Sequence, residues 1–112
     1  MMRFLISFDD GAMIIPDGEL ESVSEAAHAV VRQAKEAGVW IFGAGLLSQR
    51  ASIVATDGTI TDGPFPETKA VLGGFAIVEV PTREDALEWA TKIAAACRCP
   101  QEVRELLFDP ES

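Results

Sequence analysis

Residues 39–47, Val-Trp-Ile-Phe-Gly-Ala-Gly-Leu-Leu, are apolar at every position that is not glycine. A strand sends successive side chains to opposite faces, so both faces of a sheet built on this run need shielding from water. One shield lies just upstream. Val23, Ala26, Ala27, Val30, Val31, Ala34 and Ala37 recur at helical spacing, and Gly38 stops the helix. Its many alanines predict close packing on a sheet. Under strict alternation Trp40, Phe42 and Leu46 share one face and Ile41 and Leu47 the other. Gly43 and Gly45 point the same way and clear space, as strand glycines do where a ligand or another backbone comes close.

The remaining elements follow from the same periodicities. Residues 3–8 alternate, with Phe4, Ile6 and Phe8 on one face, and Asp9-Asp10-Gly11 ends the strand. A loop marked by Pro16-Asp17-Gly18 leads to Ser22 and Glu25, spaced as a capping box for the first helix. Ala51–Thr56 reads as a strand, Asp57-Gly58 as a hairpin turn and Thr59–Thr61 as a short return. Gly73-Gly74 opens a strand over Phe75–Val80. Thr82 and Asp85 then cap a helix with a buried stripe of Ala86, Leu87, Ala90, Ile93, Ala94 and Cys97, Trp89 at its edge. Glu102–Phe108 is the last expected strand, and Asp109–Ser112 a polar tail.

This order predicts an α+β fold, a ferredoxin-like split βαβ sandwich with both helices on one sheet face and a β-hairpin arm. Several strands are apolar on both faces: Ala76 and Val78 oppose Phe75 and Ile77 as Trp40 and Phe42 oppose Ile41. Leaving about five large apolar groups in water costs on the order of 10 kcal/mol, and such a patch marks an interface. The expectation is a homodimer through the apolar sheet face, two sheets packed together as a dimeric α+β barrel.

The 112 residues predict one domain over 1–112. With 18 acidic and 9 basic residues the net charge is −9, which disfavours nucleic acid and anionic membrane as partners. The opening residues are apolar for only about five positions, shorter than a signal-peptide core or a membrane helix, so a cytoplasmic location is expected. Cys97 and Cys99 flank Arg98 and are expected to be reduced thiols. One histidine and two cysteines make no metal set, and neither a metal nor a cofactor is expected.

The most unusual stretch is 57–75, rich in turn signals. Asp62-Gly63-Pro64-Phe65-Pro66-Glu67-Thr68-Lys69, followed by Leu72-Gly73-Gly74-Phe75, resembles the motif of the DGPF-type branch of YCII-related proteins, with Pro66 where an alanine is usual. Ala26-Ala27-His28-Ala29 is similar to the family's helix around a recurrent histidine, and Gly38–Leu46 to its following strand. Asp85–Ala90 and Glu102-Val103-Arg104 are similar to its closing half. The resemblance runs over nearly the whole chain; the segment between first strand and first helix is more divergent. It implies the ferredoxin-like fold, the dimer and a cleft near the subunit interface. For the wider group it implies a proposed His–Asp active site. One branch resembles a dehydrochlorinase of chlorinated hydroxyquinols, and DGPF members tend to be encoded beside extracytoplasmic-function sigma factors.

His28 is the only histidine, the residue type that changes charge near neutral pH. A carboxylate on one ring nitrogen would fix its tautomer and leave the other as general acid or base. Asp62 is the first candidate partner and Asp57 the second. On a helical wheel His28 lies off the apolar stripe, near Arg32 and Lys35, where it meets either a cleft rimmed by the 57–75 loop or solvent. Asp62 before Gly63-Pro64 also suits a turn, and Phe65 a plug into the core. Thr68 and Lys69 can grip an anion or form a solvated pair; with Gly63 and Phe65 they are the candidate ligand-binding residues. Two functions are expected of such a chain. One is a small dimeric protein that binds a small organic ligand, with His28 and Asp62 moving a proton in an elimination or isomerisation. The other is a non-catalytic ligand sensor or accessory protein in a sigma-factor pathway.

Overall fold

The structure, a computed structural model, describes residues 1–47, 50–65 and 72–112. Its elements are β1 (Met2–Asp9), α1 (Leu20–Glu36), β2 (Trp40–Gly45), β3 (Ser52–Val54), β4 (Ile60–Asp62), β5 (Leu72–Val80), α2 (Arg83–Cys97) and β6 (Glu102–Glu105). The main sheet has the order β2-β5-β1-β6 with every neighbouring pair antiparallel. That is the ferredoxin-like arrangement, in which each helix crosses over one intervening strand. β3 and β4 form a separate two-stranded sheet and, among the described elements, pack only on each other. The predicted hairpin arm is therefore present, its turn closed by a Gly58 amide bond to the Ala55 carbonyl (2.9 Å).

Register explains the core. Phe4 pairs with Val78, Ile6 with Ala76 and Met2 with Val80, so these side chains share one face. They meet Ala86 and Ala90 of α2, with Ile93, Trp89 and Val103 packed around them. The alanines let α2 sit close to the sheet. Leu87, expected in that stripe, is instead 39% exposed, because the contact is made by its neighbours Ala86 and Ala90. Thr82 caps α2 as its spacing with Asp85 predicts: the Asp85 amide donates to Thr82 Oγ1 (3.2 Å) and the Thr82 hydroxyl donates to Asp85 Oδ2 (2.9 Å).

Three expectations need correction. The Ser22–Glu25 capping box does not form. The turn at Pro16–Glu19 feeds the chain into the helix three residues earlier, so Ser22 lies inside α1 and donates to the Glu19 carbonyl, while Glu25 pairs with Arg32 (2.8 Å). The last strand ends at Glu105. Beyond the Leu106 amide, which bonds the Arg3 carbonyl, only Met1 and Met2 remain opposite, and Leu107 and Phe108 stand 95% and 87% exposed.

The third correction concerns β2. It is an edge strand whose helix-free face is uncovered in the single chain, and a bulge between Trp40 and Phe42 breaks its alternation. Trp40 pairs with Val78 on the helix side, whereas Phe42 pairs with Ile77 on the helix-free face. There Phe42 stacks obliquely on Phe75 (centroids 5.9 Å apart) yet remains 55% exposed. Leu5 and Ile77 continue this apolar face, and the Arg3–Glu79 ion pair (2.7 Å) borders it.

Candidate functional site

α1 leans on α2 and reaches the sheet only at β2. Beneath it a cavity of about 420 Å³ is left open between helix and sheet. Its size follows from the sequence around it. Ala27, Val30 and Val31 face it from α1, and Gly43, Gly45 and Ala76 from the sheet, side chains too small to fill the layer between. Two glycines are needed for ring placement. A Cβ on Gly43 would sit 2.6 Å from Trp40 Cη2 and Cζ2, so the indole lies directly on that residue. A Cβ on Gly74 would sit 2.7 Å from Phe8 Cζ. Gly73 fulfils the close-approach reading as well: its Cβ would meet the Asp10 backbone at 3.0 Å.

The cavity wall is apolar, formed by Ile6, Phe8, Phe75, Trp40 and Ile93 among others, with four polar side chains: His28, Lys35, Gln101 and the Cys97 thiol. His28 is surface-exposed on α1 and also lines this space. It makes no hydrogen bond or ion pair with a described residue, and neither does Lys35. Arg32, placed beside them by the helical wheel, turns away to Glu25. Cys97 and Cys99 are free and buried. Burial pushes both thiols up from 9.0, and the Cys99 charge adds to the effect on Cys97.

Of the described residues of the 57–75 stretch, only Phe75, already within β5, lines this cavity. Asp62 ends β4 opposite Ser52, and its carboxylate accepts the Ser52 hydroxyl. Asp57 is engaged in the hairpin turn: it accepts the Thr59 amide (2.9 Å), and hydrogen bonds from the Thr59 side chain and backbone hold its carboxyl below 3.8. Gly63, preceding a cis peptide to Pro64, donates to the Ala51 carbonyl (2.7 Å). Half-buried Phe65 lies against Gly63, 3.0 Å from where a Cβ would be, and is not part of the main core. Thr68 and Lys69 lie outside the described residues. Single-chain geometry thus brings His28 to a cleft and sets Asp62, Gly63 and Phe65 on the arm. Sequence reasoning registered the space cleared by Gly43 and Gly45 and weighed Trp40 and Phe42 together as pocket wall or, preferred, dimer core; the β2 bulge that sets Trp40 toward the cleft and Phe42 away from it has no signal in alternation.

Among the described residues no three of His, Cys, Asp or Glu converge to hold a metal ion, and no helix is long and apolar enough to cross a membrane. Residues 2–106 match the YCII-related domain family. No curated protein sequence matches the chain. Among solved structures it is similar to 5-chloro-2-hydroxyhydroquinone dehydrochlorinase from Burkholderia phenoliruptrix AC1100, in complex with 2,5-dihydroxybenzoquinone. The TM-score is 0.52 at 15% identity, with 98% of each chain covered, a likeness of fold.

Proposed function

Since the chain belongs to the YCII-related domain family, we propose that it is a small homodimeric protein that binds a small organic molecule in the cleft between α1 and the sheet, with His28 handling a proton of that ligand. One observation carries this reading: the sole histidine borders a roomy apolar cavity and has no partner among the described residues. The volume of about 420 Å³ lies within the range of small-molecule sites. A ring nitrogen not occupied by the protein is available to a ligand proton, which suits an elimination or isomerisation. The fold likeness to a dehydrochlorinase is in keeping with such chemistry.

We assign Asp62 as the carboxylate that orients His28. The arm that carries it leaves the main sheet at the Gly45–Gly74 end of the β2–β5 pair, and Gly45 lines the cleft. To serve, the arm has to lie over the cleft of its own or a partner chain, with the Ser52 bond exchanged. Chloride release from a chlorinated hydroxyquinol is the assay. His28→Gln abolishing turnover while ligand binding persists, with Asp62→Asn reducing it, is the expected result. Equal activity in wild type and His28→Gln would overturn the role.

The dimer rests on surface area. The chain exposes 7814 Å², whereas a compact monomer of 12.0 kDa exposes about 6,000 Å². Its radius of gyration is 15.5 Å, against about 13 Å for a compact chain of this length. A second copy on the helix-free face would cover Phe42, Phe75, Leu5 and Ile77. Sedimentation equilibrium at micromolar concentration should give twice 12.0 kDa; a strictly monomeric mass would refute the assembly.

A second reading is favoured by the engagement of Asp62 with Ser52. With that carboxylate occupied, the same cleft would bind a ligand without transforming it, as a sensor or accessory protein in a sigma-factor pathway. Ligand binding without turnover, together with recovery of a sigma factor on the immobilised dimer, would select it.

A further inference from the structure

The charges around the cleft are distributed unlike those of the rest of the chain. Acidic residues outnumber basic ones by 18 to 9, yet no Asp or Glu among the described residues lines the cavity. Its ionisable nitrogen groups are His28 and Lys35, both from α1. Seven residues apart, they lie two turns from each other, about 10 Å along one helix face. Four other basic side chains are engaged, Arg3 with Glu79, Arg32 with Glu25, Arg98 with Glu19, and Lys92 over the Trp89 ring at 4.6 Å, while Arg50 and Arg83, which have no such contact among the described residues, do not line the cavity. Lys35 has no such partner among the described residues, despite the acidic surface available to it.

The opposite wall is apolar and aromatic. Trp40 lies against Gly43, with Phe8 and Ile6 nearby. A ligand suited to both walls has a flat apolar body and an anionic oxygen at one edge. Resting on the cleft reading above, we propose that this site selects small aromatic anions, carboxylates or phenolates, and that Lys35 is the residue that selects the charge, with Trp40 as the surface for the ring. An ammonium pairs with an anionic oxygen as a point charge that tolerates either geometry. Lys35 is exposed as well as cavity-lining, and a bond to an ionised group is stronger than its neutral equivalent.

The test is calorimetric titration of the full chain with 2-naphthoate and with its neutral isostere 2-naphthamide. Wild-type protein should bind naphthoate about tenfold more tightly, the scale of one hydrogen bond to a charged group. Lys35→Gln should bring the two affinities within about threefold while leaving naphthamide binding unchanged. Lys35→Arg should keep the preference, as should the control Lys92→Gln. Equal affinities in the wild type, or a preference that survives Lys35→Gln, would overturn the assignment of Lys35 while leaving the cleft as a ligand site. Binding of neither probe would remove the cleft reading and this inference together.

Discussion

Replacing Gly43 with alanine tests the packing that shapes the cleft. The new Cβ would fall 2.6 Å from two atoms of the Trp40 ring and 3.0 Å from the Phe75 carbonyl oxygen. Neither neighbour yields easily, since the indole is rigid and the carbonyl belongs to the β2–β5 ladder. Overpacking of this kind costs about 1–3 kcal/mol. Against it stands the restriction of the unfolded chain on losing a glycine, worth about 0.4–1 kcal/mol. The net expectation is a loss of about 0.5–2 kcal/mol, or a melting temperature lowered by roughly 2–10 °C for a domain of this size. Gly45 is the matched control, on the same strand and the same cleft. A Cβ there meets nothing within 4 Å, and its φ is not in the left-handed region. Gly45→Ala should therefore be neutral or slightly stabilising. Thermal unfolding by circular dichroism, at one protein concentration because a dimer couples stability to concentration, measures both. Gly43→Ala should also shift the Trp40 indole N–H resonance. If Gly43→Ala melts with Gly45→Ala and leaves that resonance in place, the indole does not rest on Gly43 and the account of the cleft wall is wrong.

Thr82→Ala removes the cap of α2 and should cost about 1 kcal/mol in urea unfolding, with Thr82→Ser restoring most of it. Cys97 and Cys99 should resist a thiol reagent at pH 8 until the chain unfolds. Because their folded-state pKa values are raised, the native state retains protons that the unfolded state releases, so stability should fall as pH rises past 9.0; a flat profile from pH 8 to 10 would contradict this. Asp57 has a lowered pKa, so its turn contribution is present above the unfolded value and lost as pH falls through the folded one. The Thr59 amide resonance should titrate with a midpoint below 3.8, and Asp57→Ala should abolish that titration.

What was legible in the chain was what depends on local periodicity. Phe4, Ile6, Val78 and the alanines of α2 declare their faces by spacing alone, and once two helices alternate with strands in this order few topologies remain. The hairpin at Asp57-Gly58 was equally plain, because the turn chemistry is local. Features that arise from a break in periodicity were not. The β2 bulge separates Trp40 from Phe42 by one residue of register, and that slip converts an expected interface residue into a cleft wall. Capping residues misled for a related reason: Ser22 and Glu25 have the right spacing, but the turn at Pro16–Glu19 starts the helix before them. The proposed pairing of His28 with Asp62 has the least support in local sequence. The two sit on elements with no local relation, one on α1 and one on an arm that packs on no other described element, so proximity would depend on how that arm is covered. The same physics that leaves the arm unsupported, exposed Val54 and Ile60 on a two-stranded sheet too small to be stable alone, is the reason to seek its missing contacts in a second copy of the chain.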